Sequence, residues 1–397
     1  MSYKTGEAHS CKRGFAPLTR FLGLKEFKNG LYLHLHCPFR AKNRFKLPRQ
    51  HDKRWNVHAM LEHTPHHIPV LLNEVIASLN IQANGTYLDG TFGAGGYTQA
   101  ILDTAPNVKV IALDRDPDAI ANGYGLVAAS NGNLTLIEAE FDKLDTEVQA
   151  LGITQLDGIV LDIGVSSMQI DEAARGFSFR NDGPLDMRMA QSGTSAADII
   201  NDSDEEHLAN IFYYYGEERL SRRVAKAIVA ARTDTKITTT KQLSDIIAKV
   251  IYAKPNQIHP STRVFQALRI AVNDELGQLL RALQAAERIL KPEGVLSVVT
   301  FHSLEDRIVK QFFRNASGKT TNSRFQPAQP ASAAMFDTKG KWPLTASEAE
   351  LAANPRARSA KLRAGIRTNA PAPTPNTGLL ELVSLPQQKS ENGKGKR

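Results

Sequence analysis

Short apolar segments alternate with stretches of helical pattern between residues 86 and 162, and this alternation limits the possible folds more than any other feature of the chain. The apolar segments are residues 86–89, 108–114, 134–138 and 158–162. Continuous apolar runs are typical of parallel strands buried on both faces, and the helices between them supply the crossovers. The pattern therefore predicts an α/β fold with a parallel sheet built from βαβ units.

A glycine-rich loop follows the first predicted strand and reads Asp-Gly-Thr-Phe-Gly-Ala-Gly-Gly-Tyr over residues 89–97. Glycines at such a turn let a ligand approach the backbone closely. A dinucleotide loop would have a third glycine at Thr98, and Asp89 would repel a pyrophosphate. The same carboxylate would attract a sulfonium and an ammonium group. The loop therefore favours S-adenosylmethionine, with a nicotinamide-dependent oxidoreductase as the alternative.

Three further side chains are expected at the same edge of the sheet. Asp114 ends the second strand, where an acid can bind both ribose hydroxyls. Phe141 follows the third strand and can either flank an adenine or pack in the core. Asp162 ends the fourth strand, so we expect it near the reactive end of the cofactor. Asp116 is predicted to cap a helix that has Pro117 at its first position.

The alternation stops after about residue 170, and the next hundred residues carry only helical patterns. It resumes with a predicted helix over 273–290 and a predicted strand over 295–301. The predicted organisation is a basic extension over 1–59, a cofactor-binding domain over 60–170 and 271–368, an all-helical substrate-recognition insertion over 171–270, and a disordered tail over 369–397.

Positive charge is concentrated at the start of the chain. Residues 1–59 contain 13 Lys and Arg and 3 Asp and Glu, whereas the other 338 residues contain 36 and 38. Composition favours an extension that precedes a start at Met60, with an organellar targeting segment as the alternative. Because the remainder is not globally basic, any nucleic acid must be bound by local patches.

Both cysteines, Cys11 and Cys37, lie in this basic extension. Their position excludes a disulfide framework or a cysteine-based zinc site in the rest of the chain and suits a reducing compartment. No apolar run is long enough to span a membrane. We therefore expect a cytoplasmic protein.

Several longer motifs resemble those of one family. They occur in family order and read DGTFGAGG, ALDRDP, LDIGVSS, RGFSF, DGPLDMRM, YGEERLSRR, HPSTRVFQALRI, TFHSLEDR and NPRARSAKLR. The chain from about residue 67 to residue 368 is similar to the bacterial 16S rRNA cytosine-N4 methyltransferases, the RsmH or MraW family. That resemblance implies a class I, Rossmann-like methyltransferase sheet with an inserted helical domain.

The resemblance also implies a cofactor, a substrate and a set of site residues. It implies S-adenosylmethionine as the cofactor and 16S rRNA or the small ribosomal subunit as the partner. No metal is expected, since the sulfonium already activates the methyl group. The methyl acceptor is N4 of a decoding-centre cytosine, customarily numbered 1402. The family's cofactor positions fall on Gly95, Gly96, Tyr97, Asp114, Phe141, Asp162 and Gln169. Tyr97 departs from the family pattern, which usually has His at this position.

A cytosine amine is a poor nucleophile, because its lone pair is delocalised into the ring. An enzyme must hold the nitrogen in line with the methyl–sulfur bond and allow a proton to leave. Our hypothesis assigns this role to Asp162, with Ser166 or Ser167 nearby. Methylation of another nucleic acid or of a protein, and a non-catalytic RNA-binding relative, are the alternatives.

Candidate RNA contacts lie in three places. Arg175, Phe177 and Phe179 combine a cation with two aromatic rings, which suits base stacking or, alternatively, closes a domain junction. Arg263 and Arg269 lie on adjacent turns of one predicted helix and can contact phosphates. His302 follows the fifth strand and can face the substrate, with Ser303 as the predicted helix cap. Two further basic clusters are Arg219, Arg222, Arg223, Lys226 and Arg232, expected to be a solvated helix face, and Arg356, Arg358, Lys361 and Arg363, which can grip rRNA.

Overall fold

A computed structural model describes residues 69–252, 258–318, 333–338, 340–372, 383 and 385–386. The predicted basic extension and nearly all of the predicted tail lie outside these residues. Within them, seven strands form one sheet. The strands are β1 Thr86–Asp89, β2 Lys109–Asp114, β3 Leu134–Glu138, β4 Leu156–Asp162, β5 Leu290–Thr300, β6 Phe336–Asp337 and β7 Lys361–Arg367.

The strand order is β3-β2-β1-β4-β5-β7-β6. The first five strands in this order are parallel, and β7 runs antiparallel to both β5 and β6. The order reverses between β1 and β4, which opens a crevice at the carboxyl ends of these strands. The predicted α/β class with a class I methyltransferase sheet is confirmed.

Helices of the described residues cover the sheet and fill the segment between β4 and β5. They are α1 Leu72–Leu79, α2 Gly96–Thr104, α3 Pro117–Ala129, α4 Leu144–Ala150, α5 Ser167–Asp171, α6 Ala196–Asp202, α7 Glu205–Tyr214, α8 Ser221–Asp234, α9 Thr240–Val250, α10 Ser261–Asn273, α11 Glu275–Ile289, α12 Ser303–Ala316 and α13 Glu348–Ala353. Among these helices, none is long and apolar enough to cross a bilayer.

Local sequence explains several helix starts. Asp116 caps α3 by accepting a hydrogen bond from the backbone N–H of Asp118, and Pro117 occupies the first helical position, as predicted. Ser195 and Thr239 cap α6 and α9 in capping boxes, each with a polar partner three residues on. The helix α8 begins at Ser221, and Glu217 before it adopts a left-handed conformation with φ of 50°.

The two faces of the sheet bury different apolar sets. One set, which includes Leu88 and Leu161, packs against α4, α11 and α12. The other includes Tyr87 and Val160 and packs against α1 and α2. Adjacent residues of one strand thus point to opposite faces, which is the alternation that a sheet covered on both sides requires.

The helices α6 to α10 have their own apolar cluster, which includes Phe212, Ile228, Leu243 and Leu268. These five helices are referred to below as the helical insertion. Its assignment as a substrate-recognition domain remains a prediction.

Asn273 ties the helical insertion to the segment that leads into it. Its side-chain carbonyl accepts a hydrogen bond from Met189 N at 2.9 Å. Its amide donates to the carbonyl oxygens of Met187 at 2.8 Å and Arg269 at 2.9 Å. The residue is only 2% exposed, so these backbone groups have no access to water as a substitute partner.

We expect Asn273→Ala to lower the free energy of unfolding by about 2–4 kcal/mol, because it leaves buried backbone groups without partners. Urea denaturation followed by circular dichroism measures this loss. Asn122→Ala, at an exposed position, is the matched control and should change stability by less than about 0.5 kcal/mol. Equal stability of the two variants would contradict the proposed tie.

Candidate active site

Acidic side chains end three neighbouring strands at the carboxyl edge of the sheet. Asp89 ends β1, Asp114 ends β2 and Asp162 ends β4. Burial is the main cause that raises the pKa of each carboxyl above its usual range. The charge of a neighbouring aspartate raises each pKa further. An edge of this kind favours a ligand that brings positive charge.

Asp89 is fully buried beneath the glycine-rich loop. One carboxylate oxygen accepts a hydrogen bond from Thr91 N at 3.1 Å, and the other accepts one from Thr98 Oγ1 at 2.7 Å. Burial raises the pKa of Asp89 to about 6, against the opposing effect of these hydrogen bonds. Both oxygens are thus used to shape the loop. The predicted direct contact of Asp89 with the cofactor stays a prediction.

At the start of α2, backbone conformation favours glycine at one position and close packing requires it at the next. Gly95 has φ of 78°, a left-handed conformation that side chains rarely adopt. A Cβ on Gly96 would lie 2.2 Å from Cγ of Pro69, so the helix can approach this proline only without a side chain. The first N–H groups of a helix have no intrahelical partner and suit an anionic group of a ligand, such as a carboxylate.

Tyr97 points away from the loop and into the core. It is 4% exposed, and its hydroxyl donates a hydrogen bond to the backbone carbonyl of Val70. Burial raises the pKa of this phenol well above its usual range. Its ring packs in the same apolar cluster as Val75 and Ile101. The phenol is thus turned into the core, and the cofactor contact of Tyr97, through its backbone or its side chain, stays a prediction.

Asp114 lies where a ribose ligand is expected. Its oxygens accept hydrogen bonds from Gly93 N at 2.7 Å and Asp116 N at 2.8 Å, which fix the carboxylate at the strand end. Each oxygen keeps a lone pair for a hydroxyl. Phe141 begins a 3₁₀ turn after β3 and is half-buried against the core, so both predicted roles of its ring remain compatible with its position.

Asp162 has an unsatisfied carboxylate oxygen. Its backbone N–H donates to Thr91 Oγ1 at 2.7 Å, whereas its Oδ1 is enclosed and has no hydrogen-bond partner among the described residues. Burial, and then the charges of Asp89 and Glu305, raise the pKa of Asp162 well above its usual range. A buried acceptor without a partner is costly, which indicates that a ligand completes it. Its catalytic role stays a proposal.

Gln169 takes part in a network beside the loop. Its side-chain carbonyl accepts a hydrogen bond from Ser166 N and its amide donates to Asp116 Oδ2 at 2.8 Å. The Arg175 guanidinium contacts the same Asp116 oxygen at 2.9 Å and also donates to the carbonyls of Arg188 and Met189. Its side chain is only 10% exposed. These contacts use the guanidinium donors inside the protein, and the RNA contact of Arg175 stays a prediction. The cofactor contact of Gln169 remains a prediction.

Phe177 and Phe179, the aromatic rings predicted to stack on bases near Arg175, have packing partners inside the protein. Phe179 stacks on His259 at 4.5 Å between ring centroids and meets Phe265 edge to face at 5.1 Å. Phe177 and Phe179 both pack against the core of the helical insertion. This packing supports the alternative role of closing the domain junction.

Arg269 is held by an acidic cluster inside the protein. Two of its guanidinium nitrogens contact the two carboxylate oxygens of Glu275, each at 2.7 Å. Glu305 lies 4.0 Å away and is fully buried. The predicted phosphate contact of Arg269 stays a prediction, although its guanidinium is already paired with Glu275. Among the described residues, Arg263 donates to the backbone carbonyl of Glu217, at 3.2 Å.

His302, and not the predicted Ser303, caps α12. Its Nδ1 accepts from Glu305 N at 3.5 Å, and Glu305 Oε2 accepts in return from His302 N. His302 Nε2 lies 2.9 Å from Glu305 Oε1. The imidazole is thus positioned by the helix start, and a direct contact with the substrate remains a prediction.

Glu275, His302 and Glu305 have the spacing of metal ligands. However, both oxygens of Glu275 already accept hydrogen bonds from Arg269. The guanidinium therefore supplies the positive charge that a metal would otherwise bring.

The second predicted basic cluster lies largely in or beside β7 and is mostly paired. Lys361 and Arg363 contact Asp306 on α12, at 3.1 and 2.7 Å. Arg356 contacts Asp171 at 2.7 Å. These ion pairs compensate part of the cluster's charge, and its grip on rRNA stays a prediction. The strand β7 was not predicted from the sequence.

Thr91, Thr98 and Glu305 were missed by the sequence reasoning. Thr91 joins Asp89 to Asp162, and Thr98 donates to Asp89. Their position inside or directly after the glycine-rich loop was the available signal. For Glu305, the signal was its place three residues after His302 at a helix start.

The sheet order and this acidic edge define the class of protein. The chain is a class I methyltransferase, and S-adenosylmethionine is its cofactor, as predicted. A cationic cofactor fits the unpartnered Asp162 oxygen and the other carboxylates of this edge. The glycines at the start of α2 leave no side chain in its way.

Comparison with known proteins specifies the family. The MraW methylase family matches residues 64–367. A ribosomal RNA small subunit methyltransferase H from Methylobacterium nodulans is 59% identical over 337 residues, 84% of this chain and 99% of the relative. The protein of that name from Methylocella silvestris is 59% identical over 324 residues, 81% and 93% of the two chains. The one from Azorhizobium caulinodans is 59% identical over 306 residues, 77% and 88%. The chain belongs to the MraW methylase family.

We expect Tyr97→Phe to reduce stability without weakening cofactor binding. Loss of the hydroxyl leaves the Val70 carbonyl unpaired and should cost about 1–2 kcal/mol. Isothermal titration should show a Kd for S-adenosylmethionine within about twofold of the unsubstituted protein, since the phenol does not line the ligand side. A tenfold weaker affinity at unchanged stability would show that the side chain binds the cofactor.

The raised carboxyl pKa values predict a pH-dependent affinity for the cationic cofactor. With a pKa of about 6, Asp89 loses its charge as the pH falls through that value. A bound cation favours the ionised form, so binding releases protons and weakens in acid. Between about pH 7.5 and about pH 5.5 we expect the protonation of Asp89 to raise Kd by up to about fourfold. Titration in buffers of different ionisation enthalpy measures the proton release.

S-adenosylhomocysteine, whose sulfur is uncharged, is the matched control ligand and should show a smaller change. Asp89→Asn should reduce the pH dependence for S-adenosylmethionine. Identical pH profiles for the two ligands would contradict an electrostatic role of the acidic edge.

Proposed function

We propose that this protein methylates N4 of the decoding-centre cytosine, numbered 1402, in the 16S rRNA of the small ribosomal subunit. The proposal also places its action in the cytoplasm. The observation that carries it is the 59% identity that extends over 99% of a relative named for small-subunit rRNA methylation. Similarity across the full length of a relative includes both the acidic edge and the helical insertion.

The position of Asp162 supports an amine as the methyl acceptor. S-adenosylmethionine, when bound, supplies a methyl group on a cationic sulfur. The enclosed Asp162 Oδ1 can accept a hydrogen bond from an exocyclic N–H, which orients the nitrogen and localises its lone pair. The amine must lose one proton as the N–C bond forms. A carboxylate whose pKa is raised by burial is a better acceptor for that proton.

The network behind Asp162 supports this assignment. Glu305 is fully buried and raises the pKa of Asp162 through its charge. Arg269 balances part of that charge through its contact with Glu275 and its 4.0 Å approach to Glu305. These residues do not touch the expected position of the amine and act by positioning and by charge.

The decisive experiment deletes the gene and maps N4-methylcytosine in the small-subunit rRNA. We expect loss of the modification at the decoding site and its return with a plasmid-borne copy of the gene. Undermethylated subunits from the deletion strain should also accept labelled methyl groups from the purified protein. An unchanged decoding-site modification would overturn the proposal. Transfer to DNA or protein alone, or subunit binding without any transfer, would establish one of the alternative functions.

Asp162→Asn should lower kcat by about 100-fold or more, because the amide no longer accepts the proton. The Kd of S-adenosylmethionine should change much less than kcat. Asp171→Asn, which alters an exposed carboxylate on α5, is the matched control and should keep full turnover. Full activity of Asp162→Asn would remove Asp162 from the reaction.

A further inference from the structure

Exposed cations lie along one face of α8. Arg222, Arg223 and Lys226 are spaced so that all three share the solvent side of the helix, whereas Val224, Ala225 and Ile228 face the core. Arg219 lies one turn earlier, in the loop that leads into α8, and is also exposed. We call these four side chains the α8 basic face.

The α8 basic face is not neutralised by the protein. None of its four members has an ion pair or a side-chain hydrogen bond among the described residues, in contrast to Arg175, Arg269 and Arg363. Arg232, further along α8, is not part of this face, because it donates to the carbonyls of Ile200 and Ser203. Four unpaired cations on one face repel each other, so an anionic partner would relieve this repulsion.

The nearby acids do not compensate this charge. Glu218 is buried, and its carboxylate accepts a hydrogen bond from Leu220 N at 2.8 Å. Glu217 contacts Ser303 Oγ and Arg307, each at 2.9 Å. Along α8 itself, the described acid is Asp234 at the last position.

Two exposed tyrosines end α7, the helix that precedes the α8 basic face in the chain. Tyr213 and Tyr214 end α7 and are 54% and 43% exposed. Their rings meet edge to face, with 5.1 Å between centroids. Because α7 and α8 pack side by side and are joined by a short loop, this aromatic pair lies at the same end of the hairpin as Arg219. Exposed aromatic rings beside cations are a combination that binds unpaired bases and phosphates.

The same loop reaches the catalytic edge of the sheet. Glu217 binds Ser303 and Arg307 at the start of α12, directly after β5. Arg263, which donates to the Glu217 carbonyl, adds a further cation there. A chain lying along the α8 basic face would thus be led towards Asp162 and His302.

We propose that the α8 basic face, together with Tyr213 and Tyr214, is the surface that holds the RNA substrate next to the methylated nucleotide. The cations contact phosphates, and the tyrosines stack on unpaired bases flanking the target. This inference rests on the proposed function, since it names the surface by which the same site recognises its RNA. The apolar side of α8 is already used by the core, which leaves the charged side for a partner.

The test uses the full-length protein and undermethylated small subunits from the deletion strain. Arg223→Glu and Lys226→Glu should each raise the KM for subunits by about 5- to 20-fold near physiological salt. The kcat at saturating subunit and the Kd of S-adenosylmethionine should stay unchanged. Each variant should also reduce the salt dependence of RNA binding by about one phosphate contact. Lys109→Glu is the matched control, an equal charge change on an exposed residue at the opposite edge of the sheet.

The tyrosines are tested by a pair of double variants. Tyr213→Ala with Tyr214→Ala should raise the KM for subunits by about fivefold or more, because stacking is lost. Tyr213→Phe with Tyr214→Phe keeps the rings and should keep the affinity. Equal loss in both double variants would contradict stacking.

The outcomes separate the two proposals. If the unsubstituted protein transfers no methyl group to subunits, the proposed function fails. If it does so and Arg223→Glu and Lys226→Glu behave like Lys109→Glu, the function stands and the RNA surface is overturned. A fall in kcat or in cofactor affinity without a change in KM would likewise overturn it.

Discussion

Burial of like charges at the carboxyl edge of the sheet is the constraint on which the site depends. Asp89, Asp114 and Asp162 end neighbouring strands, and burial, followed by the charge of a nearby acid, raises the pKa of each. Thr91 makes this arrangement possible, because its N–H donates to Asp89 and its hydroxyl accepts from the Asp162 backbone. The fold thus removes these carboxylates from water, which destabilises their charged form. A cationic ligand offsets part of that desolvation cost.

The sequence predicted the parts of the fold that follow from local pattern. The strands β1 to β4 are continuous apolar runs, and the cap at Asp116 is a local signal, so both could be read from a few adjacent residues. The strand β7 could not. Its Lys361 and Arg363 look like surface cations, and only their distant partner Asp306 allows them to lie on a strand next to β5. The two-residue β6 is too short to leave a pattern.

For the site residues too, local features could be predicted and the pairing of side chains could not. The common position of Asp114 and Asp162 at the sheet edge could be predicted, because strand ends are visible in sequence and parallel strands place those ends together. The ion pairs of Arg175 and Arg269 could not be predicted, because a residue's type does not reveal its partner. The acid that pairs with Arg175 is 59 positions away. Glu275 is only six positions from Arg269, but the left-handed Asp274 between α10 and α11 turns the chain so that the two side chains meet.

These internal pairs also define what the surface can do. Arg175, Arg269, Lys361 and Arg363 have partners, so they contribute little attraction to a polyanion. The cations of α8 do not, and they lie on a helix whose connection to α7 is fixed to α12 by Glu217. Asn273 fixes the other end of the helical insertion to the segment around Met187 and Met189. With both ends tied, the exposed face of α8 has a defined position relative to Asp162, which is the condition for an RNA bound on one element to present its base to another.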